Sequence, residues 1–298
     1  FIGKAGIGLA SGVAAASTLS TPALAQSKKT ITIVSTWPRD FPGLGISAQR
    51  LAARITELSK GALTTEYFAA GERVGAFDSF DEVASGNSTA YIAADYYWKG
   101  KHPAFNYFTS VPFGMSTPEW NAWIKFGGGQ ELWDELSGSY GLKALACGST
   151  GTQAGGWFNK EINSASDLQG LKFRMPGFGG LALGRTGASV QTIAGGEIYQ
   201  ALSSGAIDGA EWIGPFADER MGFQEVCKFY YTSGFHEPGS ALAGSMNLDV
   251  WNELSPQHQA IVTNAAMATT HYQLSETLSN NGAALSRLQS QGVKTLQF

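Results

Sequence analysis

The chain has 298 residues, of which 43% are hydrophobic and 15% are charged. This composition excludes an intrinsically disordered chain and is typical of a large globular protein of one or two lobes with hydrophobic cores. The formal net charge is -4 at pH 7, with both signs mixed and no run of lysine and arginine. Because nucleic-acid binding needs clustered cations that neutralise phosphates, we expect no nucleic-acid partner and favour a small-molecule partner.

The N-terminal segment, residues 1–25, differs in composition from the rest of the chain. Lys4 precedes the weakly apolar stretch AGIGLASGVAAAS, and the closing TPALA places Ala23 and Ala25 in an A-x-A arrangement. This pattern predicts a signal peptide over residues 1–25, cleaved near Ala25, for export to the periplasm. The opening letters FIGKAG resemble the end of a twin-arginine signal. The alternative is a membrane anchor, but the apolar run is shorter than the about 20 residues that a membrane-spanning helix needs.

Strand and helix patterns then alternate along the chain. A strand is predicted over Ile31–Ser35, and the segment GISAQRLAARITELSKG has the apolar spacing of a helix, with Leu51, Ile55 and Leu58 on one face. LTTEYFAAGE alternates like a second strand, and FDSFDEVASGNSTAYIAADYYW predicts a helix, a glycine break and a strand toward Tyr96. This alternation predicts an α/β fold in which helices cover a sheet.

Start signals mark helices further along the chain. TPEWNAWIKFGGGQELWDELS is predicted as one helix, with Thr117 as its cap and Pro118 in its first turn. The pair Ser255–Pro256 predicts the start of a long helical region near the C-terminus. Cys147 and Cys227 either form a disulfide or remain buried thiols, since nothing in their spacing decides between these alternatives.

The segments LKFRMPG and AIDGAEWIGP share one pattern. Each is predicted as a strand that ends in a charged residue before a turn containing proline, and Arg174 and Glu211 are those charged residues. In open α/β sheets, ligands bind at the carboxyl ends of strands. We therefore expect both side chains to face a cleft.

Common catalytic signatures are missing from the sequence. It contains no G-x-S-x-G nucleophile motif, no G-x-x-x-x-G-K-[ST] phosphate loop and no H-E-x-x-H zinc motif. The histidines lack the spacing of a zinc site and are expected to be structural or surface residues. The remaining enzymatic hypothesis is a hydrolase that uses Glu211 and Glu237 as an acid–base pair. We therefore expect a binding protein rather than an enzyme.

The charges of Arg174 and Glu211 raise an electrostatic problem. Arg174 lies between apolar neighbours, so its side chain is expected on the opposite strand face, either in a salt bridge at the rim or as a clamp on a substrate carboxylate. A buried Glu211 is costly unless it is paired or protonated, yet pairing with Arg174 would use up the anion site. A metal cation resolves this conflict, because hard cations bind oxygen ligands such as those of Gln153 and Glu237.

The segment LKFRMPGFGGLALGRTGASVQTIAGGEIYQALSSGAIDGAEWIGP, with GTQAGGWFNKEI before it and GFHEPGS after it, resembles the solute-binding subunits of TRAP (tripartite ATP-independent periplasmic) transporters. The similarity covers nearly the whole mature chain. It is greatest to the branch that binds 2-oxo acids such as pyruvate, or 2-hydroxy acids such as lactate, together with a metal ion. The resemblance implies a two-lobed α/β fold that closes on its ligand and delivers it to a TRAP membrane permease. An alternative keeps this fold but binds a dicarboxylate or a sugar acid.

The resemblance also implies roles for individual residues. Arg174 would bind the substrate carboxylate, and a cation, sodium or in some relatives calcium, would contact the substrate's carboxylate and 2-oxo oxygens. The implied cation ligands are the side chains of Gln153, Glu211 and Glu237 and the main-chain carbonyl of Trp212. Gln153 and Trp212 would also lie beside the substrate. The aromatic residues that match a patch near the ligand are Tyr96, Tyr97 and Trp98, with Trp37 as a further candidate.

The implied lobes divide the mature chain into two parts. Lobe 1 would comprise residues 27–152 and 240–298, with C-terminal helices that pack across both lobes, and lobe 2 would comprise residues 153–239. Some relatives dimerise by exchanging a long C-terminal helix. The resemblance therefore leaves both a monomer and a homodimer open for this chain.

Overall fold

The computed structural model describes residues 28–298, so the predicted signal peptide and its cleavage near Ala25 lie outside the described residues. The strands, in chain order, are β1 Lys29–Ser35, β2 Leu63–Phe68, β3 Ala90–Ala93, β4 Leu142–Lys143, β5 Ala146–Gly151, β6 Gly156–Phe158, β7 Lys172–Arg174, β8 Ser189–Gln191, β9 Gly209–Ala210, β10 Phe229–Tyr231, β11 Ser240–Asn247 and β12 Lys294–Leu296. The α-helices are α1 Leu44–Leu58, α2 Ser79–Ala84, α3 Thr117–Phe126, α4 Gly129–Gly138, α5 Gly177–Gly184, α6 Ile198–Ser203, α7 Pro215–Arg220, α8 Phe223–Val226, α9 Leu248–Glu253 and α10 Pro256–Ser290.

The strands form two mixed sheets, which confirms the α/β prediction. The first sheet has the order β2-β1-β3-β11-β4, and β5 also pairs with β11. In it β1 runs parallel to β2 and β3, whereas β11 runs antiparallel to its neighbours. The second sheet has the order β12-β10-β6-β9-β7-β8. Within residues 28–298, no helix combines the length and the apolar character needed to cross a membrane.

The chain passes between the sheets through short ordered segments. Residues 152–155 lead from β5 in the first sheet to β6 in the second, and residues 232–239 lead back from β10 to β11. Helix α10 contacts β5 and α1 as well as α7. Helix α10 leads to β12, which pairs with β10 in the second sheet. The predicted division assigns this C-terminal part, residues 240–298, to lobe 1. The two sheets are therefore joined by several ordered connections.

Helix α10 begins where the sequence predicts. Ser255 is its cap, and the Ser255 hydroxyl accepts a hydrogen bond of 3.2 Å from the backbone N–H of His258. Pro256 occupies the first turn, where its missing N–H costs nothing. The helix then runs for 35 residues, and most of its buried side chains are small or polar.

The single helix predicted to start at Thr117 was wrong in two respects. It is divided into α3 and α4 at Gly127 and Gly128, and Gly128 has a φ of 83°, a left-handed conformation that favours glycine. The cap of α3 is Ser116, whose backbone N–H donates to the Glu119 carboxylate at 2.8 Å in a capping box. The Thr117 hydroxyl instead lies 3.0 Å from the hydroxyl of Ser149.

Other local predictions need smaller corrections. The strand predicted to reach Tyr96 ends at Ala93, and a 3-10 turn follows over Asp95–Trp98. Strand β9 is only Gly209–Ala210, so Glu211 follows the strand rather than ending it. Leu58, predicted on the apolar face of α1 with Leu51 and Ile55, is the last residue of the helix and is 48% exposed.

The two cysteines lie in different parts of the fold. Cys147 lies on β5 in the first sheet, and Cys227 lies between α8 and β10 beside the second sheet. Both side chains are buried and free, in agreement with the alternative of two buried thiols. Burial raises the pKa of the Cys227 thiol to about 12, so this group stays protonated and unreactive at neutral pH.

Candidate functional site

A buried ion pair joins Arg174 and Glu211 at the carboxyl ends of two neighbouring strands. Strands β7 and β9 are parallel, and Arg174 lies opposite Ala210 in their register. The backbone N–H of Glu211 donates to the Arg174 carbonyl at 3.1 Å, and the Arg174 Nη1 donates to the Glu211 carboxylate. The two side chains are 1% and 0% exposed. The positive charge that cancels the Glu211 carboxylate is therefore Arg174 itself, in the interior rather than at a solvent-exposed rim.

The remaining guanidinium contacts fix the direction of Arg174. Its Nε donates to the Ile193 carbonyl at 3.2 Å, and its guanidinium carbon lies 5.2 Å from the centroid of the Trp212 ring. The third nitrogen, Nη2, has no hydrogen-bond partner within the described residues. Phe173 and Met175 face the other side of β7 and line a separate apolar cavity of about 490 Å³. The predicted alternation along β7 is confirmed, and one nitrogen of Arg174 is free to bind an anion.

His236 and Glu237 complete the buried cluster, and His236 was missed by the sequence analysis. The His236 Nε2 lies 3.2 Å from the Glu211 Oε2, and both side chains are inaccessible to solvent. The ligand atoms of Glu211, His236 and Glu237 lie within 4.8 Å of one another. His236 and Glu237 lie on the connection between β10 and β11, so this connection brings them to the end of the second sheet. The adjacency of His236 to Glu237 in GFHEPGS was the available signal.

The charges in this cluster shift the pKa values of its members. Burial, and then the nearby Glu211 charge, raise the pKa of Glu237 to about 7. Burial alone would lower the pKa of His236, but its hydrogen bond to Glu211 and the charges of both glutamates outweigh burial and raise it. Two carboxyl groups thus share the site with one guanidinium and with His236, whose raised pKa favours its cationic form. A proton on Glu237 is one way to reduce the negative charge of the two carboxyl groups, and a bound cation is another.

Gln153 lies on the other connection between the sheets and faces the same cluster. Its backbone N–H donates to the Glu237 carbonyl at 3.0 Å, so the two connections are tied together. Its side-chain Nε2 donates to the Thr150 hydroxyl at 3.0 Å, which leaves Oε1 without a partner in the described part of the chain. The amide oxygen is therefore the atom of Gln153 that can accept a ligand.

The aromatic residues form the walls of a small cavity between the sheets. Trp37, Tyr96, Tyr97, Gln153 and Trp212 all line it. The rings of Tyr96 and Tyr97 lie 4.9 Å apart, and Gly177 at the start of α5 packs against Tyr96, where an added Cβ would come within 3.2 Å. Trp98 instead packs against Phe80 in a separate cluster, with ring centroids 5.3 Å apart. Of the predicted aromatic patch, Tyr96 and Tyr97 therefore reach the cavity.

Several buried polar atoms in this cavity and in the charged cluster of Arg174, Glu211, His236 and Glu237 have no hydrogen-bond partner among residues 28–298. Such atoms are Trp37 Nε1, Gln153 Oε1, Arg174 Nη2, Trp212 Nε1, His236 Nδ1 and Glu237 Oε2. Buried polar groups are normally paired, so a cluster of this kind indicates a polar guest. The oxygen atoms of Gln153, Glu211 and Glu237 suit a hard cation, and the free N–H groups suit an anion. The residues present thus fit a cation and an organic anion bound together.

Comparisons with known proteins agree with this chemistry. A model of the family "Bacterial extracellular solute-binding protein, family 7" (DctP) matches residues 33–298. A monocarboxylate 2-oxoacid-binding periplasmic protein from Nostoc sp. is 40% identical over 266 residues, which is 89% of this chain and 73% of that protein.

Two crystal structures of TRAP periplasmic solute-binding proteins are similar to the whole fold. The protein from Pseudoalteromonas atlantica, with bound sodium and pyruvate, has a TM-score of 0.88 and 40% identity, covering 91% of this chain and 83% of that one. The protein from Colwellia psychrerythraea, with bound calcium and pyruvate, has a TM-score of 0.87 and 40% identity over the same shares. The chain therefore belongs to family 7 of the bacterial extracellular solute-binding proteins, the DctP family of TRAP solute-binding proteins.

Proposed function

We propose that this protein captures a small 2-oxo monocarboxylate such as pyruvate, or a related 2-hydroxy acid such as lactate, together with a metal cation. The exported chain, cleaved near Ala25, would deliver this ligand in the periplasm to a TRAP membrane permease. The observation that carries the proposal is the Arg174–Glu211 pair beside Glu237, with Arg174 Nη2 still unpaired. The 40% identical relatives that hold pyruvate with sodium or calcium support the same ligand class.

In this proposal Arg174 binds the substrate carboxylate through Nη2. A charge-assisted hydrogen bond of this kind contributes about 1.5–3 kcal/mol net. Arg174 Nη1 continues to donate to Glu211, so the guanidinium binds the Glu211 carboxylate and the substrate carboxylate at the same time. The Nε–H groups of Trp37 and Trp212 are further donors in the same cavity.

The cation would be held by oxygen atoms on both sides of the cluster. We assign it to the carboxylates of Glu211 and Glu237, the Oε1 of Gln153 and the main-chain carbonyl of Trp212, with sodium as the first choice and calcium as the alternative. Without a metal cation, Arg174 and His236 face two carboxyl groups and the substrate anion. A bound cation removes this excess of negative charge and supplies the electrostatic attraction for the substrate oxygens.

We further propose that the ligand closes two lobes. The division at residues 27–152 with 240–298 and at 153–239 places Tyr96 and Tyr97 on one lobe and Arg174 and Glu211 on the other. Ligand and cation would favour the closed form because they contact both lobes only in that form. In this proposal residues 240–298 belong to lobe 1, and the pairing of β12 with β10 is a contact of their C-terminal end with the second sheet.

The alternative functions receive less support from the site. A hydrolase would need Glu211 and Glu237 as an acid–base pair, but Glu211 is held in a buried ion pair with Arg174, where it balances a charge instead of carrying a proton. A dicarboxylate would need a second anion site, and a sugar acid would need more space and partners for its hydroxyl groups. Among the described residues, Arg174 is the arginine with a free nitrogen in this buried cluster.

A ligand panel tests the proposed function. In sodium-containing buffer, pyruvate and lactate at 100 times their dissociation constants should stabilise the folded protein by about 2.7 kcal/mol, which raises the melting temperature by about 5–10 °C. Succinate and glucuronate should leave it unchanged, and pyruvate should be recovered chemically intact after long incubation. A larger shift with succinate or glucuronate than with pyruvate would refute the monocarboxylate assignment, and consumption of pyruvate would favour an enzyme.

A further inference from the structure

Asp218 is a buried carboxylate that the binding proposal does not use. It lies on α7, is 0% exposed, and accepts hydrogen bonds at both oxygens. Its Oδ1 accepts from the backbone N–H groups of Ile213 and Gly214, each at 3.0 Å. Its Oδ2 accepts from the indole N–H of Trp157 and the hydroxyl of Tyr230, each also at 3.0 Å. Four donors therefore converge on one carboxylate.

The amides held by Asp218 adjoin the proposed cation ligands. Ile213 directly follows Trp212, so the Trp212 carbonyl and the Ile213 N–H belong to the same peptide group. The Ile213 carbonyl is held from the other side by the backbone N–H of Ala154 at 2.8 Å, next to Gln153. Because a peptide group is planar, a hydrogen bond on its N–H also fixes the direction of its carbonyl.

We propose that Asp218 is a positioning residue that directs the Trp212 carbonyl toward the cation. The inference rests on the proposed cation site. Trp157 on β6 and Tyr230 on β10 donate hydrogen bonds to Oδ2 of Asp218. Their rings are stacked, with centroids 4.2 Å apart. Asp218 thereby couples the rigid core of the second sheet to the loop that follows Glu211. Such indirect partners of metal ligands typically change metal affinity by about 10–100-fold when they are removed.

Asp95, in the 3-10 turn that follows β3 of the first sheet, offers a matched control. It is 1% exposed and accepts from the Trp133 indole N–H at 2.7 Å and the Tyr91 hydroxyl at 3.3 Å. The two aspartates thus have the same kind of indole and hydroxyl partners. Asp218 differs because it also accepts from main-chain amides beside Trp212. Replacement of Asp95 should therefore reproduce the loss of stability without disturbing the cation site.

The test measures the sodium concentration that gives half-maximal pyruvate binding at a fixed pyruvate concentration. Asp218→Ala should raise the half-maximal sodium concentration by about 10–100-fold, because all four hydrogen bonds that Asp218 accepts are lost. Asp218→Asn should give a smaller increase, because the amide oxygen can still accept from Ile213 and Gly214. In both variants, saturating sodium should restore pyruvate affinity. Asp95→Asn should lower the melting temperature but keep the wild-type sodium requirement.

The outcomes separate this inference from the proposed function. A wild type that binds pyruvate equally well with and without sodium would overturn the cation site and the positioning role together. A normal sodium requirement in the wild type that is unchanged in Asp218→Asn and Asp218→Ala would overturn the positioning role alone. An equal increase in Asp95→Asn would also overturn it, because general destabilisation would then explain the effect. If Asp218→Ala does not fold, the isosteric Asp218→Asn variant decides.

Discussion

Pyruvate affinity is expected to fall about 10- to 100-fold in an Arg174→Lys variant, because one charge-assisted hydrogen bond of about 1.5–3 kcal/mol is lost. The nitrogens of the guanidinium have different partners: Nη1 donates to Glu211, Nε donates to the Ile193 carbonyl, and Nη2 has no partner among the described residues. A lysine carries a single nitrogen, and the buried Glu211 will compete for it. Isothermal titration with pyruvate in sodium-containing buffer measures the loss.

The control for this substitution is Arg185→Lys. Arg185 lies at the end of α5 and is exposed, so its replacement should leave pyruvate affinity unchanged. Arg174→Lys should also unfold at a lower temperature than Arg185→Lys, because a buried ion pair that loses good geometry leaves an uncompensated charge. Wild-type pyruvate affinity in Arg174→Lys would show that the substrate carboxylate binds elsewhere.

Glu211→Gln is expected to remove most of the cation dependence of pyruvate binding. In the wild type, sodium should strengthen pyruvate binding by about 10–100-fold, within the usual range of coupling between two sites. The substitution removes one of the two carboxyl groups whose negative charge the cation offsets. Sodium should therefore strengthen pyruvate binding by less than about 10-fold in this variant. Affinity at saturating sodium should also decrease, because a neutral amide is a weaker cation ligand. Titrations with and without sodium measure the factor in each protein.

Glu161→Gln serves as the control for the loss of a glutamate charge. Glu161 forms an ion pair with Lys294 at 2.8 Å near the surface of the second sheet, away from the buried cluster. In Glu161→Gln, sodium should strengthen pyruvate binding as much as it does in the wild type. If sodium strengthens pyruvate binding equally in Glu211→Gln, then Glu211 does not bind the cation.

The parts of the fold that depend on local sequence were predictable. Alternation of strand and helix patterns indicated the α/β class, and Ser255–Pro256 marked the start of α10 because a cap and a first-turn proline act within one helical turn. The break at Gly127 and Gly128 was missed because the apolar pattern continues across it. Glycines inside a helical pattern are tolerated or terminate the helix depending on the tertiary contacts around them.

The candidate site was predictable only in part of its membership, and its contacts were not predictable. Arg174 and Glu211 were recognised as strand-end charges, but their direct contact depends on β9 lying next to β7, and strand order is not encoded locally. His236 was missed because a lone histidine has no spacing that distinguishes a structural residue from a ligand. Tyr97 and Trp98 diverge because β3 ends at Ala93 and the 3-10 turn changes the direction of each side chain.

The account depends on a cation that allows buried acids and an organic anion to occupy one cluster. The most direct test is calorimetric titration of the wild-type protein with pyruvate, first in a chelator-treated choline buffer without sodium or calcium and then in the same buffer with sodium. The account predicts binding that is about 10–100-fold weaker without the cation. Equal pyruvate affinity in the two buffers would contradict it.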